Sequence, residues 1–380
     1  MARVVFVNRY FHPDHSATSQ IASDLAFHLA ARGWQVEAIA SRQRYDDAAA
    51  RLPKHETIHG VRVTRLATTR FGRAFLPGRA IDYLTFYLSA FFAIAKRRDA
   101  VVIAMTDPPL LSVIATLASK HVVNWLQDLF PEVATALGIR VPRMLRTLRD
   151  WSLRRARANV VLGDRMAQRV ERAVVIHNWA EASLHPIARE ENALRREWNL
   201  GESFVVGYSG NLGRVHEFDA IAGAMQQSGE DIRFLFIGGG ARLEAVKRAA
   251  GANASFQPYQ PRERLSESLS AADVHLVSAQ PQVEGLVVPS KAYGILAVAR
   301  PLIFIGDDDG EIARIVKRFD CGIVVPPGDA NALATAIREL ANDPQRAAAM
   351  GRRGRDAYLA HFAPERALAA WERVLEDASR

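Results

Sequence analysis

The sequence predicts an α/β protein built from two doubly wound parallel sheets, and three observations carry that expectation. Short apolar runs alternate with helical patterns along the whole of the 380 residues. Such βαβ alternation implies a parallel sheet with helices on both faces. A polar stretch with no buried strand, HNWAEASLHPIAREENALRREWNL (177–200), interrupts the series near its middle. The chain is also longer than one ordinary core organises, so two domains are expected. The boundary falls at 183/184, giving domains over 1–183 and 184–362, with a terminal helix that packs back on the first.

Taken in order, RVVFVNRY reads as the first buried strand. Thr18 to Arg32 follows as a helix, since Ile21, Leu25 and Leu29 keep helical spacing and Gly33 supplies a stop. The strands WQVEAIAS and VRVTRLA come next, then a helix from Ile81 to Arg97, the strands AVVIAMT and HVVNWLQD, a helix from Arg143 to Arg157, and the strand ANVVLGD. After the polar stretch a second series begins, with SFVVGYSG, IRFLFIGGG, ASFQPY, ADVHLVS, PLIFIG and CGIVVP as strands and helices between them. Ala363 to Asp377 reads as a final long helix.

Composition narrows the class. Apolar residues make up 49% and charged residues 24%, the balance of a globular protein. The single cysteine, Cys321, excludes an internal disulfide framework or a cysteine metal site, and a reducing, cytoplasmic setting is expected. The longest nearly uncharged run, YLTFYLSAFFAIA, is too short to span a bilayer. Charge is uneven: residues 1–180 carry a net +12 and residues 181–380 a net −4. The first half is therefore expected to meet an anionic partner. The basic helix RMLRTLRDWSLRRAR, with RFGRAFLPGR and the apolar helix after it, suggests an anionic inner-membrane surface, met peripherally from the cytoplasm.

Two motifs point to an anion site. GYSGNLGR (207–214) leaves the first strand of the second domain, and its glycines let backbone N–H groups approach a ligand closely. Gly210, Asn211, Gly213 and Arg214 are the candidates there. VEGLVVPSKAYG (283–294) interrupts an apolar run with Glu284, Ser290 and Lys291 where a helix begins. Ser290 is expected to cap that helix and Lys291 to face the anion. Strand exits of one parallel sheet converge at its carboxyl edge, so the two cations together suit a pyrophosphate.

At this point the ordered set becomes specific. GYSGNLGRVHEFDAI, FLFIGGGARL, EGLVVPSKAYGILAVARP, YFHPDHSATSQIASDLAFHLAARGWQV, QDLFPEVATALGI and HNWAE resemble the family 4 (group 1) GT-B glycosyltransferases. They resemble in particular the branch that builds bacterial surface polysaccharides, such as colanic-acid and O-antigen fucosyl- and N-acetylfucosaminyltransferases. The resemblance implies two Rossmann-like domains facing across a cleft. It also implies sugar transfer, with retention, from a nucleotide-diphosphate-sugar on the second domain to a glycan or polyprenyl-diphosphate-linked acceptor on the first. Arg214 and Lys291 would neutralise the departing diphosphate. Gly239 and Tyr259 would lie near the nucleotide, and Glu284 near its ribose or the sugar.

The pattern also departs from the family. The position eight residues after Glu284 holds Ala292 rather than a second glutamate, and Ala220 stands where a lysine is common. In the first domain, Gln127 occupies a position where relatives often carry histidine. Asp128 beside it is the candidate acid–base residue, with Glu284 as the second catalytic candidate. The loop HPDHSATS offers His12, Asp14, His15, Ser16 and Thr18 on the acceptor side. Asp307 to Asp309 contains a D-x-D, but its place before a helix favours capping, and neither a metal nor another cofactor is expected. Two other functions fit parts of the pattern, a UDP-sugar 2-epimerase of the same design and a basic nucleic-acid or membrane binding module. Recognisable nucleic-acid motifs are absent, so a nucleic-acid partner is not expected.

Overall fold

The computed structural model describes residues 3–45, 47, 49–72 and 76–380. Of the basic stretch 70–79, residues 73–75 lie outside the described residues. The chain divides into two compact units, residues 1–177 with 367–380, and residues 178–366.

Unit 1 is an eight-stranded sheet of β1 (Arg3–Val7), β2 (Gln35–Ser41), β3 (His55–Ile58), β4 (Val61–Leu66), β5 (Val101–Ala104), β6 (Val122–Trp125), β7 (Ala158–Val161) and β8 (Ala173–Val175). Its order is β3-β4-β2-β1-β5-β6-β7-β8, parallel throughout except for the β3-β4 hairpin. The central strands are apolar runs because both of their faces are covered; every residue of β5 and β6 is buried. Sequence periodicity did not reveal β3. It alternates exposed and half-buried positions at the sheet edge and turns into β4 through His59 and Gly60, both with positive φ. The three-residue β8 escaped for a simpler reason, since it is too short to show a pattern.

Unit 2 is a six-stranded, wholly parallel sheet of β9 (Phe204–Ser209), β10 (Ile232–Ile237), β11 (Ala254–Gln257), β12 (Val274–Ser278), β13 (Leu302–Ile305) and β14 (Gly322–Val325). Its order is β11-β10-β9-β12-β13-β14. Its core gathers Val206, Phe234, Phe236, Leu276, Ile303 and Ile305 from the strands with Ile221, Leu333 and Ile337 from covering helices. In unit 1 the strand order reverses between β1 and β5, and in unit 2 between β9 and β12. Ligands of open α/β sheets bind outside the carboxyl ends at such reversals, which directs attention to the loops after those strands.

The terminal helix runs from Pro364 to Ser379, two residues longer at its C-terminal end than its sequence pattern indicates. From Ala367 onward it belongs to unit 1, where Trp371 is fully buried with its ring 4.5 Å from that of Trp125. Glu372 accepts from His28 Nε2 at 2.9 Å and from Arg32 Nε at 3.3 Å. Among the described residues, no helix is long and apolar enough to cross a membrane.

Candidate functional site

In unit 2 the loops after β9 and β10 are stitched into one surface. Gly210 donates to Ile237 O at 2.8 Å, Leu212 to Gly239 O at 2.7 Å, and Arg242 to Leu212 O at 2.9 Å. Glycine is required where they cross. Gly238 sits at φ 128°, and a Cβ there would run into the carbonyl oxygen of Gly210. The half-exposed Tyr259 closes the far side, its hydroxyl donating to Gly239 O at 3.3 Å. Backbone and aromatic edge thus line the glycine loops, as a binding surface for a flat or anionic group requires.

Lys291 opens the helix Lys291–Ala297 and turns its ammonium inward. Nζ lies 3.6 Å from the centroid of the Tyr208 ring, and Cε would sit 3.9 Å from a Cβ on Gly210. The buried Nζ has no hydrogen-bond partner, and no carboxylate pairs with it among the described residues. Burial therefore holds the ammonium well below the usual lysine range. Beside it, His216 is pushed down to about 3, chiefly by burial and secondarily by Lys291, against the hydrogen bond to Ser278 O. The ring is neutral at physiological pH. Because a carbonyl only accepts, Nδ1 carries the proton and donates to Ser278 O at 2.6 Å.

A buried cation resting only on an aromatic face is costly, and an arriving anion would remove that cost. Arg214 stands exposed in the same loop, which is tied to the exit of β12 by Gln280 N donating to Val215 O at 2.8 Å. Asn211 is exposed, and Gly213 is buried between it and His216. The predicted candidates Gly210, Asn211, Gly213, Arg214, Gly239, Tyr259 and Lys291 therefore gather on the loops at the carboxyl edge. Tyr208 and His216 belong with them, although sequence reasoning assigned neither. The available signal was a tyrosine and a histidine flanking the glycine loop in otherwise apolar surroundings.

Two capping readings need correction. Ser290 occupies the N-cap position of the Lys291 helix but makes no side-chain capping bond. Asp307–Asp309 does not cap the helix Glu311–Phe319 either: Asp309 pairs with Arg314 and Asp308 with Lys317. That cap comes instead from Glu284, whose Oε1 accepts from Glu311 N at 3.0 Å. Gly310 leaves room for it, since a Cβ there would lie 2.7 Å from Glu284 Oε2. Glu284 thus braces the exit of β13. Glu217, also missed in the sequence, plays the same part for the helix Asp219–Gln227, accepting from Asp219 N and Ala220 N.

In unit 1 the edge is acidic. Asp128 follows β6, and the helix after it has Pro131 at its N-cap position and no side-chain capping bond, so the carboxylate is not used as a helix cap. Burial pushes its carboxyl up to about 6, the nearby Asp107 adds to this, and a hydrogen bond with Thr106 opposes it. Gln127 is half-buried next to it. The loop after β1 is mostly structural. Asp14 accepts from Ser16 N at 2.8 Å and Tyr45 N at 2.6 Å, which occupies both oxygens and corrects its reading as a ligand-facing group. His12 packs its ring against Phe27 and His59. Thr18 Oγ1 accepts distantly from Asn8 Nδ2 at 3.4 Å, His15 is exposed, and the buried Ser16 hydroxyl has no hydrogen bond. Arg9, unnoticed in the sequence, is buried here, donating to Gln43 Oε1 and Asp82 Oδ2 beneath the Tyr83 ring.

Known proteins match both units. Residues 190–357 fit the family described as Glycosyl transferases group 1, and residues 17–180 the Glycosyl transferase 4-like domain. A Pseudomonas aeruginosa protein named "Probable glycosyltransferase WbjE" is 31% identical over 69% of this chain and 71% of its own length. The chain belongs to the group 1 glycosyltransferases. WcaI of Escherichia coli (strain K12), named as a glycosyl transferase of colanic acid biosynthesis, is 25% identical over 69% of this chain and 72% of its own. Among solved structures, sucrose-phosphate synthase from Thermosynechococcus elongatus superposes with a TM-score of 0.80 at 19% identity, covering 99% of this chain and 98% of that one. Anabaena Alr3699/HepE in complex with UDP-glucose does so with 0.72 at 14%, covering 99% and 100%. The fold of this glycosyltransferase is therefore GT-B. Family membership makes it a transferase, which sets aside both the epimerase and the non-enzymatic binding module.

Proposed function

We propose that this glycosyltransferase moves a sugar, with retention, from a nucleotide-diphosphate-sugar held by unit 2 to a glycan or polyprenyl-diphosphate-linked acceptor served by unit 1. The observation that carries the donor assignment is the buried, unpaired ammonium of Lys291 beside the interlocked glycine loops. A diphosphate seated there would exchange an uncompensated cation for an ion pair in a low-dielectric setting. Arg214 would reach it from the solvent side, and both cations would gain strength as the glycosidic bond breaks and charge grows on the leaving phosphate. Gly210, Asn211, Gly213 and Gly239 supply backbone and amide contacts, Tyr259 a face for the nucleotide, and Ser290 a hydroxyl at the mouth. Glu284, fixed by the Glu311 N–H, orients the ribose or the sugar.

On the acceptor side, Asp128 is the group suited to take or share a hydroxyl proton near neutral pH. Gln127, His15, Ser16 and Thr18 surround the proposed acceptor path. Retention without a protein nucleophile places the acceptor hydroxyl on the same face as the departing phosphate, with Asp128 within the path of its proton. The relative named for colanic acid biosynthesis supports a role in bacterial exopolysaccharide, O-antigen or capsule biosynthesis, and the UDP-glucose complex of a neighbour of the same fold supports a nucleotide-sugar donor. The proposed setting is peripheral, on the cytoplasmic face of the inner membrane, with no metal in the donor site.

The test is a thermal-shift series with UDP, GDP and their sugar conjugates, on the wild-type protein and on Lys291→Ala and Arg214→Ala. Preferential binding to the folded state raises the melting temperature, by about 2.7 kcal/mol of stabilisation at a hundredfold excess over Kd. A shift that depends on the diphosphate and disappears in Lys291→Ala supports the assignment. Failure of every nucleotide diphosphate to move the transition would overturn it.

A further inference from the structure

The exposed apolar side chains of this protein are not scattered. Of the eleven large hydrophobic side chains that stand exposed among the described residues, nine fall between Phe71 and Leu148 in unit 1. Four of them, Ile81, Leu84, Leu88 and Phe92, succeed one another at helical spacing on the helix Leu76–Ala95 and form a single stripe. Asp82, Phe86, Ala90 and Ile94 are fully buried and mark the opposite, core-facing side of the same helix. Leu84, Leu88 and Phe92 are 66%, 61% and 58% exposed, values that leave nearly the whole of each outer surface in solvent.

The stripe is not isolated. The helix Leu76–Ala95 packs beside Leu111–Ala118, which packs beside Arg143–Arg155. The second carries the exposed Leu117, and the third carries Met144 and Leu148. Around them Arg140, Arg143 and Arg154 are exposed and make no ion pair among the described residues. The nearby acids are taken: Glu132 pairs with Arg146 and Arg149, and Asp150 with Arg149. Apolar rows bordered by free cations match the layering of an anionic bilayer, acyl chains beneath phosphate headgroups. A second copy of this chain fits less well, because a two-fold contact through the same face would set these arginines against one another.

We propose that this face of unit 1 docks on an anionic lipid bilayer, with Leu84, Leu88 and Phe92 inserted among the acyl chains and Arg140, Arg143 and Arg154 at the headgroups. The inference rests on the peripheral placement proposed above and adds its lipid-penetrating element, the helix Leu76–Ala95. It does not depend on the donor chemistry.

The full-length protein is sedimented with vesicles of phosphatidylcholine alone and of phosphatidylcholine mixed with phosphatidylglycerol, at low and at physiological salt. The expected result is binding to the anionic vesicles that weakens with salt. In Leu84→Ser/Leu88→Ser/Phe92→Ser the affinity should fall by about a hundredfold. In Arg140→Ser/Arg143→Ser/Arg154→Ser it should fall by about fivefold per arginine, with preference for phosphatidylglycerol lost. Both variants should keep the wild-type melting temperature and nucleotide-induced shift, which separates a failed membrane face from a failed donor site. If the triple serine variant does not fold, Leu84→Asp provides the same test at one exposed position. Absence of binding to anionic vesicles at low salt would overturn the proposal. So would binding that the stripe variant leaves unchanged, or a stable solution dimer that the stripe variant dissociates.

Discussion

The two sheet edges of this protein share a topology and differ in chemistry. Unit 2, drawn from the half of the sequence with net −4, presents at its edge an unpaired lysine and an exposed arginine among glycines. Unit 1, drawn mainly from the half with +12, presents Asp128 and Asp107 near the buried Arg9 and Tyr83. The charge of each half is thus opposite in sign to the group at its own edge. Overall charge reports what coats the outer helices, whereas the chemistry of an edge is set by a few desolvated groups whose neighbours are fixed by strand order. The excess arginine of unit 1 lies on its helical exterior, and its edge is left to handle protons.

The largest expected effect comes from erasing the cation of unit 2. Lys291→Met should lower kcat/KM by about a hundredfold to a thousandfold. It should also raise the melting temperature of the ligand-free protein, because a buried amine without a hydrogen-bond partner, whose charged form burial disfavours, is replaced by an apolar chain of similar length. Loss of activity together with loss of stability would mean that Lys291 is structural. Gly238→Ala should come next. Its φ of 128° and the oncoming Gly210 carbonyl predict destabilisation of about 2–4 kcal/mol in urea titration, with nucleotide affinity reduced in parallel.

Asp128→Asn probes the other edge. The carboxylate form predominates only above pH about 6, so the wild-type rate should rise between pH 5 and 7, and the variant should lose both that limb and most of the rate. The folded-state pKa is raised above the unfolded value of 3.8, so the stabilising contribution of the neutral acid is complete below about pH 4 and gone above pH 6. The asparagine variant should therefore be more stable than wild type at pH 7.5, by about 1–2 kcal/mol once solvent screening is allowed for, and the gain should vanish at pH 4. A variant no more stable at pH 7.5 would remove the contrast between the edges. The smallest effect is expected from Glu284→Gln, which keeps an acceptor for Glu311 N but removes the charge at that helix end. A stability loss of about 0.5–1 kcal/mol with a modest rise in donor KM would fit a positioning role.

The fold was legible because parallel strands buried on both faces leave unbroken apolar runs such as VVFV, FLFI and LIFI. Edge elements hide for the same reason: the exposed β3 alternates, and β8 is too short to be periodic. At the site, local backbone demands showed through and tertiary ones did not. GYSGNLGR and the three glycines at 238–240 announce a close approach, but only the fold reveals that each loop is shaped by the other. The cap on the helix after β13 comes from Glu284 rather than from the nearer aspartates, a choice made by packing across strands. Asp14 misled because an acidic residue bracing its own loop looks, in sequence, like one awaiting a ligand.

The packing of Trp371 on Trp125 also sets an order in time. Unit 1 begins to emerge first during synthesis, yet the pocket around Trp125 stays open until residues 367–380 arrive, after the whole of unit 2. At ordinary elongation rates that wait is on the order of tens of seconds. A chain stopped before Ala367 would leave the Trp125 ring without the Trp371 ring that packs on it. The helix thereby completes the core of unit 1 only after unit 2 has been made.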